Sequence, residues 1–317
     1  MPTTRRAVID VGTNSIKLLV ADVREGAVEP VWEDSEQTRL GAGFYATNRL
    51  QPESIAQTAQ AVATFAAKAR ELQAVATRVI ATSAARDAVN PAELTAAIER
   101  AAGLKVEIIS GEQEAGWGFQ GVNTNPELAR HPLLLMDVGG GSTEFILGEK
   151  AEKQFGRSFQ LGTVRLLEKL PHSDPPTALQ LADTRQFVKM FLENEVRPEL
   201  EPALARHAQP RDELQLVGTG GTATILARMA VRLASYDRRL IESARITQSQ
   251  LRAQVENLWT LSLAERKKIP GLPESRADVV LTGIVIYEAV MEAFGFTNLR
   301  ISTRGLRFAA VMGETNR

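Results

Sequence analysis

One dense group of residues in the chain has the types and spacing to bind phosphate. It reads Asp137-Val138-Gly139-Gly140-Gly141-Ser142-Thr143-Glu144 and lies between the apolar runs 133–136 and 145–147. Short apolar runs separated by glycines predict a strand, a turn and a second strand. Glycines let backbone amides approach phosphate oxygens closely, and Asp137 could hold a divalent cation beside them. A plain β-hairpin is the alternative interpretation.

A second copy of this pattern lies near the N-terminus. Asp10-Val11-Gly12-Thr13-Asn14-Ser15 repeats the Asp-Val-Gly sequence and the small polar residues, and it is also flanked by apolar runs, 7–9 and 16–20. Two copies predict duplicated halves that face each other across a cleft. Two phosphate-binding hairpins on related α/β domains are typical of the actin-like, ribonuclease H-like fold.

A third glycine-rich turn, Gly218-Thr219-Gly220-Gly221-Thr222, follows the apolar run 214–217 and opens a helix that extends to residue 229. The first amides of a helix have no intrahelical partner and carry the positive end of its dipole, so they could bind an anion. Thr222 as an ordinary N-cap is the alternative. The turn is not a Walker A loop, because no Gly-Lys-Ser/Thr follows it.

Arg86 is a candidate for binding phosphate. It follows the predicted strand 78–81 within Thr82-Ser83-Ala84-Ala85-Arg86-Asp87. A guanidinium group at a strand end could bind a phosphate with two parallel hydrogen bonds. A surface ion pair with Asp87 or Glu93 is the alternative.

Two carboxylates are candidates for handling water. Glu114 lies in the first turn of a predicted helix, 112–122, and could orient a water molecule and accept its proton. Glu112 is two residues away and therefore faces another side, so we expect it only to complement the helix dipole. Glu144 could reach a metal or a water, although a single carboxylate on a strand is more often exposed.

Composition excludes several functional classes. The 317 residues suit two domains, with 44% hydrophobic and 24% charged residues and a net charge of −1, so no overall positive field attracts nucleic acid or an anionic membrane. Cysteine is absent, and the three histidines lack ligand spacing and are predicted to lie on the surface. Neither a signal peptide nor an apolar run of ~20 residues is present, which favours a cytoplasmic protein.

The predicted domains are 1–124 and 125–304, with a terminal helix, 305–317, that could pack back on the first domain. Apolar periodicity and cap residues predict most of the elements. The predicted helices are 52–72, 91–102, 112–122, 163–170, 177–200, 248–261, 263–268 and 276–294. The further predicted strands are 27–33, 105–109, 153–159 and 299–302.

Seven blocks in order resemble the exopolyphosphatase/guanosine pentaphosphate phosphohydrolase family, over about residues 7–311. They are 10–15, Thr82-Ser-Ala-Ala-Arg-Asp87, Ile109-Ser-Gly-Glu-Gln-Glu-Ala115, 137–144, 218–222, Ile269-Pro-Gly-Leu272 with Arg276-Ala-Asp278, and Ser302-Thr-Arg-Gly305. The chain is shorter than members with a C-terminal helical extension and resembles the two-domain form. It has Thr303 where the family usually has Asp, so we assign Thr303 no role.

The resemblance implies two actin-like domains around a central cleft and Mg²⁺-dependent hydrolysis of a terminal phosphoanhydride. The family's catalytic base falls on Glu114, its phosphate-binding arginine on Arg86, and its carboxylates for metal and water on Asp137 and Glu144. Asp10 or Asp137 is expected to hold the Mg²⁺. The family's phosphate-binding loops match 12–15, 139–142 and 218–222.

The resemblance leaves the substrate open between inorganic polyphosphate and pppGpp. Polyphosphate is favoured because no guanine-reading element stands out in the sequence. An ATP-dependent kinase of the same fold and a non-catalytic sensor of polyphosphate or (p)ppGpp are further alternatives. The resemblance also implies a homodimer. The net charge and the lack of a long apolar run predict neither nucleic acid nor membrane as a partner.

Overall fold

The computed structural model describes residues 3–206 and 213–313, and the chain divides into two compact units. The first comprises Met1–Asn125 with Arg304–Arg317, and the second comprises Pro126–Thr303. Each described unit is built around one mixed β-sheet. No described helix is both long and apolar enough to cross a membrane.

The first unit has a five-stranded sheet in the order β3-β2-β1-β4-β5. Its strands are β1 (Thr4–Val11), β2 (Ile16–Arg24), β3 (Ala27–Glu36), β4 (Ala76–Ala81) and β5 (Val106–Ile108). The first three strands form antiparallel hairpins, and β4 and β5 join in parallel. Helices supply the crossovers that parallel pairs require. They are α1 (Pro52–Glu71), α2 (Ser83–Asp87) and α3 (Pro91–Ala102), and α4 (Gly111–Val122) follows the last strand.

The second unit has a six-stranded sheet in the order β10-β11-β9-β6-β7-β8. Its strands are β6 (Leu133–Val138), β7 (Thr143–Glu149), β8 (Glu152–Phe159), β9 (Gln215–Thr219), β10 (Arg245–Thr247) and β11 (Asn298–Ile301). Its helices are α5 (Thr163–Lys169), α6 (Ala178–Phe191), α7 (Arg197–Arg206), α8 (Gly220–Ala230), α9 (Arg238–Ser243), α10 (Gln248–Leu258), α11 (Leu263–Arg266) and α12 (Val280–Phe294).

The two sheets repeat one topology. The series β8-β7-β6-β9-β11 has the same order and strand directions as β3-β2-β1-β4-β5, with two antiparallel pairs followed by two parallel pairs. The short strand β10 is added antiparallel at one edge. The predicted α/β class with duplicated actin-like, ribonuclease H-like units is therefore confirmed.

The sheet of the first unit is covered on both faces because side chains alternate along β1. Ile9 packs in the apolar cluster under α1 and α3, whereas Val8 packs with Phe308 and Trp117 on the opposite face. Phe308 belongs to α13 (Leu306–Ala310), which is much shorter than the predicted terminal helix. Residues 314–317 of that prediction lie outside the described part of the chain.

Helix α12 is buried on nearly all sides and supports the glycine-rich turns of the second unit. A Cβ atom at Gly283 would lie 2.6 Å from Thr222 Cγ2 and 3.0 Å from Thr163 Cγ2, so only glycine allows these elements to approach so closely. Tyr287 Oη donates a hydrogen bond to the Met136 carbonyl at 3.4 Å. Burial, and secondarily the Asp137 carboxylate, raise the pKa of Tyr287 well above its ordinary value, so the phenol keeps its proton.

Several sequence predictions need correction. The predicted helix 177–200 is two helices, α6 and α7, joined by the π-helical turn Leu192–Val196, and α12 begins at residue 280 because a 3₁₀ turn, Glu274–Arg276, precedes it. Elements α9 and β10 were not predicted. Thr303 is hydrogen-bonded to Arg238 and Glu242 within the second unit.

The histidine prediction is also only partly right. His131 and His172 are half-buried, and the His172 ring packs edge-on against Trp259 with centroids 5.5 Å apart. The third, His207, lies outside the described residues.

Candidate active site

The first hairpin of each unit ends in the same two-residue turn. Gly12 N donates to Ser15 O at 3.1 Å, and Gly139 N donates to Ser142 O at 2.9 Å. The predicted strand–turn–strand structure is therefore confirmed at both copies. A Cβ atom at Gly12 or Gly139 would lie 3.0 or 3.1 Å from the same carbonyl oxygens, which is closer than most Cβ contacts and favours glycine at both positions.

Backbone contacts orient both turns. Thr13 O accepts from Gly41 N at 2.7 Å, and Gly140 O accepts from Val164 N at 2.8 Å. A trans peptide is planar with its N–H opposite its C=O, so fixing a carbonyl on one side points the next amide to the other side. Among the hydrogen bonds of residues 3–206 and 213–313, the Gly140 and Gly141 amides donate to no protein group. Such amides suit an anion.

Asn14 adds a side-chain donor to the first turn. The residue is 5% exposed, and its Oδ1 accepts from Gln37 Nε2 at 3.1 Å. Its Nδ2 is buried without a hydrogen-bond partner among the described residues. A buried donor with no partner costs free energy, and a phosphate oxygen would satisfy it.

Asp10 is the residue that best fits a cation in the first unit. It lies at the end of β1, is 5% exposed, and its Oδ1 has no hydrogen-bond partner in the described chain. Burial raises the pKa of Asp10, and the nearby Lys17 and Arg307 only partly offset this. A buried carboxylate with an unsatisfied oxygen is a suitable ligand for Mg²⁺, which commonly takes one or two carboxylates together with phosphate oxygens and waters.

Asp137 occupies the equivalent position at the end of β6. It lies against the start of α8, so closely that a Cβ atom at Gly220 would overlap Asp137 Oδ1. Cross-strand pairing places Lys17 opposite Asp10 but Glu144 opposite Asp137, so only the second hairpin carries two facing carboxylates. Within the described residues, no three His, Asp or Glu side chains group together as a complete metal site.

The third glycine-rich turn begins α8 at Gly220, with Thr219 at the N-cap position. Thr222 is therefore not the N-cap, and that alternative is wrong. The Thr222 hydroxyl instead donates to the Val138 carbonyl at 2.8 Å and so joins the start of α8 to the end of β6. Gly221 lies beside it in the first helical turn, where backbone amides lack intrahelical acceptors.

Arg86 and Glu114 lie together in the first unit. Arg86 Nη1 donates to Glu114 Oε2 at 2.9 Å and to the Ile109 carbonyl at 3.2 Å. The alternative surface pair is not the main contact, since Arg86 is 3.8 Å from Asp87. Glu93 bonds to Arg49 instead.

The helix that carries Glu114 separates it from Glu112, as predicted. The hydroxyl of Ser110 caps α4 by accepting from Gln113 N at 3.1 Å. Glu114 is 8% exposed, whereas Glu112 lies on the exposed face. Of these two carboxylates, only the buried Glu114 therefore remains a candidate for handling water.

Glu144 differs from the expectation that a single strand carboxylate is exposed. It is 3% exposed, and its Oε1 accepts from Ser142 Oγ at 2.8 Å and from Ser158 Oγ at 2.6 Å. Sequence reasoning missed Ser158, which is the cross-strand partner of Glu144 on β8. The only signal in the sequence was a serine on the neighbouring strand, whose register could not be fixed without the fold.

An Asp10→Asn variant should be more stable than the wild type in EDTA at neutral pH. Because burial raises the pKa of Asp10, ionising it costs more in the folded than in the unfolded chain, and the neutral amide avoids that cost. The gain should shrink as the pH falls and vanish only well below the ordinary aspartate pKa of 3.8, where Asp10 is protonated in the unfolded as well as the folded chain. Thermal unfolding of both proteins across this pH range measures the difference in stability. Asp183→Asn, at an exposed aspartate, is the control and should leave the stability unchanged. A less stable Asp10→Asn protein at neutral pH would contradict the argument.

The comparisons with known proteins agree with this geometry. The family model described as the Ppx/GppA phosphatase family matches residues 19–316, which is nearly the whole chain and begins just after the first turn. The chain belongs to the Ppx/GppA phosphatase family. It is therefore a phosphoanhydride hydrolase, which confirms the resemblance seen in the sequence motifs.

Several relatives of this Ppx/GppA chain are similar over nearly their full length. Exopolyphosphatase 2 of Mycobacterium tuberculosis is 36% identical, over 95% of this chain and 96% of its own. The crystal structure of the Aquifex aeolicus Ppx/GppA family member has a TM-score of 0.77 at 29% identity, covering 98% of this chain and 97% of that one. An exopolyphosphatase from Cytophaga hutchinsonii has a TM-score of 0.85 at 27% identity, with 96% of each chain covered.

Proposed function

We propose that this Ppx/GppA enzyme is an exopolyphosphatase, which removes the terminal phosphate of inorganic polyphosphate with the help of Mg²⁺. The observation that carries the proposal is the buried Glu114, hydrogen-bonded to Arg86 in the same unit as the Asp10–Ser15 turn. In the proposal, this unit supplies the carboxylate base, the cation that binds phosphate and the amide donors. Two relatives that cover the chain almost completely are named exopolyphosphatases.

In the proposed reaction, each turn binds phosphate oxygens through the amide and side-chain donors of its own unit. Glu114 orients a water and accepts its proton as the water oxygen bonds to the terminal phosphorus. The bond from that phosphorus to the bridging oxygen breaks, giving orthophosphate and a chain one phosphate shorter. Asp10 or Asp137 would hold Mg²⁺, which supplies positive charge to the phosphate oxygens.

The hydrogen bond from Arg86 fixes the position of the Glu114 carboxylate and keeps a guanidinium beside it that could also contact a phosphate oxygen. Glu144 has a different environment, with two serine hydroxyls as donors, so we assign it to orienting water or metal ligands in the second unit.

Phosphate release measures this proposal directly. The purified protein is incubated with Mg²⁺ and no acceptor molecule, in parallel with long polyphosphate, tripolyphosphate, pppGpp and ATP. We expect release from polyphosphate, and its loss when Mg²⁺ is chelated. Release from pppGpp alone would replace the proposal by a pppGpp phosphohydrolase, a requirement for an acceptor would indicate a kinase, and binding without release would indicate a sensor.

A further inference from the structure

The carbonyl groups of the Gly139–Ser142 turn accept hydrogen bonds from one segment, residues 162–165. Thr163 N donates to Gly139 O at 2.9 Å, and Val164 N and Arg165 N donate to Gly140 O at 2.8 and 3.1 Å. Gly162 lies directly beneath, because a Cβ atom there would be 2.5 Å from Gly140 O. These contacts are made by the backbone and do not depend on which side chains follow Gly162.

The last carbonyl of the turn is held differently. Arg165 Nε donates to Gly141 O at 2.8 Å, and Arg165 Nη1 lies 3.4 Å from Gln160 Oε1. At the equivalent position of the first hairpin, Asn14 O accepts from the backbone amide of Arg39 at 3.0 Å. At this peptide the first unit therefore uses a backbone donor, whereas the second unit uses a charged side chain.

We propose that Arg165 is a positioning residue for the phosphate-binding turn. Arg165 holds the Gly141 carbonyl, and the N–H of Ser142 in the same peptide must then point to the opposite side of the turn. The Gly140 and Gly141 amides point to that side for the same reason, because the carbonyls of Gly139 and Gly140 are also hydrogen-bonded. A charged donor on the carbonyl also polarises the peptide and strengthens its N–H as a donor. This inference rests on the proposed function, in which the turn binds phosphate.

Three variants separate the parts of this role. Arg165→Met removes both donor and charge, Arg165→Gln keeps a donor without charge, and Arg165→Lys keeps the charge without the planar Nε–H. We expect Arg165→Met to raise the KM for tripolyphosphate about tenfold, the effect of one lost charge-assisted hydrogen bond, with kcat changed less than about threefold. Arg165→Gln and Arg165→Lys should each recover part of the loss. Arg252→Met, at an exposed arginine paired with Glu256 on α10, is the matched control.

A binding measurement keeps this test independent of turnover. In a Glu114→Gln background, tripolyphosphate should raise the unfolding temperature less when Arg165 is replaced by Met. If the wild type releases no phosphate but this difference remains, the proposed function fails while the positioning role stands. An unchanged KM and ligand response in Arg165→Met would overturn the inference.

A purely structural role gives a distinct result. It would lower the unfolding temperature without ligand and reduce kcat, with no recovery by Gln or Lys, and this too would overturn the inference. If Arg165→Met does not fold, the KM values of the Gln and Lys variants test the inference instead. Each KM should lie above the wild-type value, and unchanged values would overturn the positioning role.

Discussion

Replacing Glu114 by Gln should lower kcat for phosphate release by about 10²–10⁴-fold, the contribution typical of a general base. The amide has nearly the same shape and can still accept the hydrogen bond from Arg86 Nη1, but it does not take a proton from water. Binding of tripolyphosphate should therefore stay close to that of the wild type. Steady-state kinetics and ligand-dependent thermal unfolding measure the two quantities separately.

Glu112→Gln is the matched control for this variant. Both residues lie in the first turn of α4, so each substitution removes one negative charge from the same helix end. Only Glu114 is buried, and Glu112 faces away from it. We expect Glu112→Gln to retain wild-type kcat, and equal activity in the two variants would remove Glu114 from the mechanism.

The sequence predicts the site elements well because their chemistry is local. Asp-Val-Gly followed by small residues encodes a two-residue hairpin turn in both units, and the structure has that turn at Gly12 and at Gly139. The helix that carries Glu114 also follows from local signals, since Ser110 caps it and the carboxylates 112 and 114 necessarily face different sides.

Contacts between distant segments could not be predicted in the same way. The Arg86–Glu114 pair joins residues 28 positions apart through the parallel pairing of β4 with β5, and local patterns had offered Asp87 or Glu93 instead. Ser158 reaches Glu144 only because of the register of β8 on β7. Arg165 carried no signal at all, because its role depends on where α5 meets the glycine turn.

The second large effect is expected at Gly220, where α8 begins against Asp137. Gly220 has φ +79°, and a Cβ atom there would overlap Asp137 Oδ1. Gly220→Ala must therefore displace the carboxylate or the helix start. Because a displacement of about 1 Å in a site can cost about 10²-fold in rate, we expect a loss of that order in phosphate release.

Backbone strain alone would not explain such a loss of activity. Gly295→Ala is the control that measures the effect of the strain by itself. Gly295, at the end of α12, has φ +73° and nothing within 4 Å of its added Cβ, so Gly295→Ala also places an alanine at positive φ, which costs about 1–2 kcal/mol in the left-handed region, but without any clash. Thermal unfolding should show both proteins destabilised, whereas phosphate release should fall sharply only in Gly220→Ala. If the two variants retain the same activity, the close approach of α8 to Asp137 is unimportant for the reaction, which would contradict this prediction.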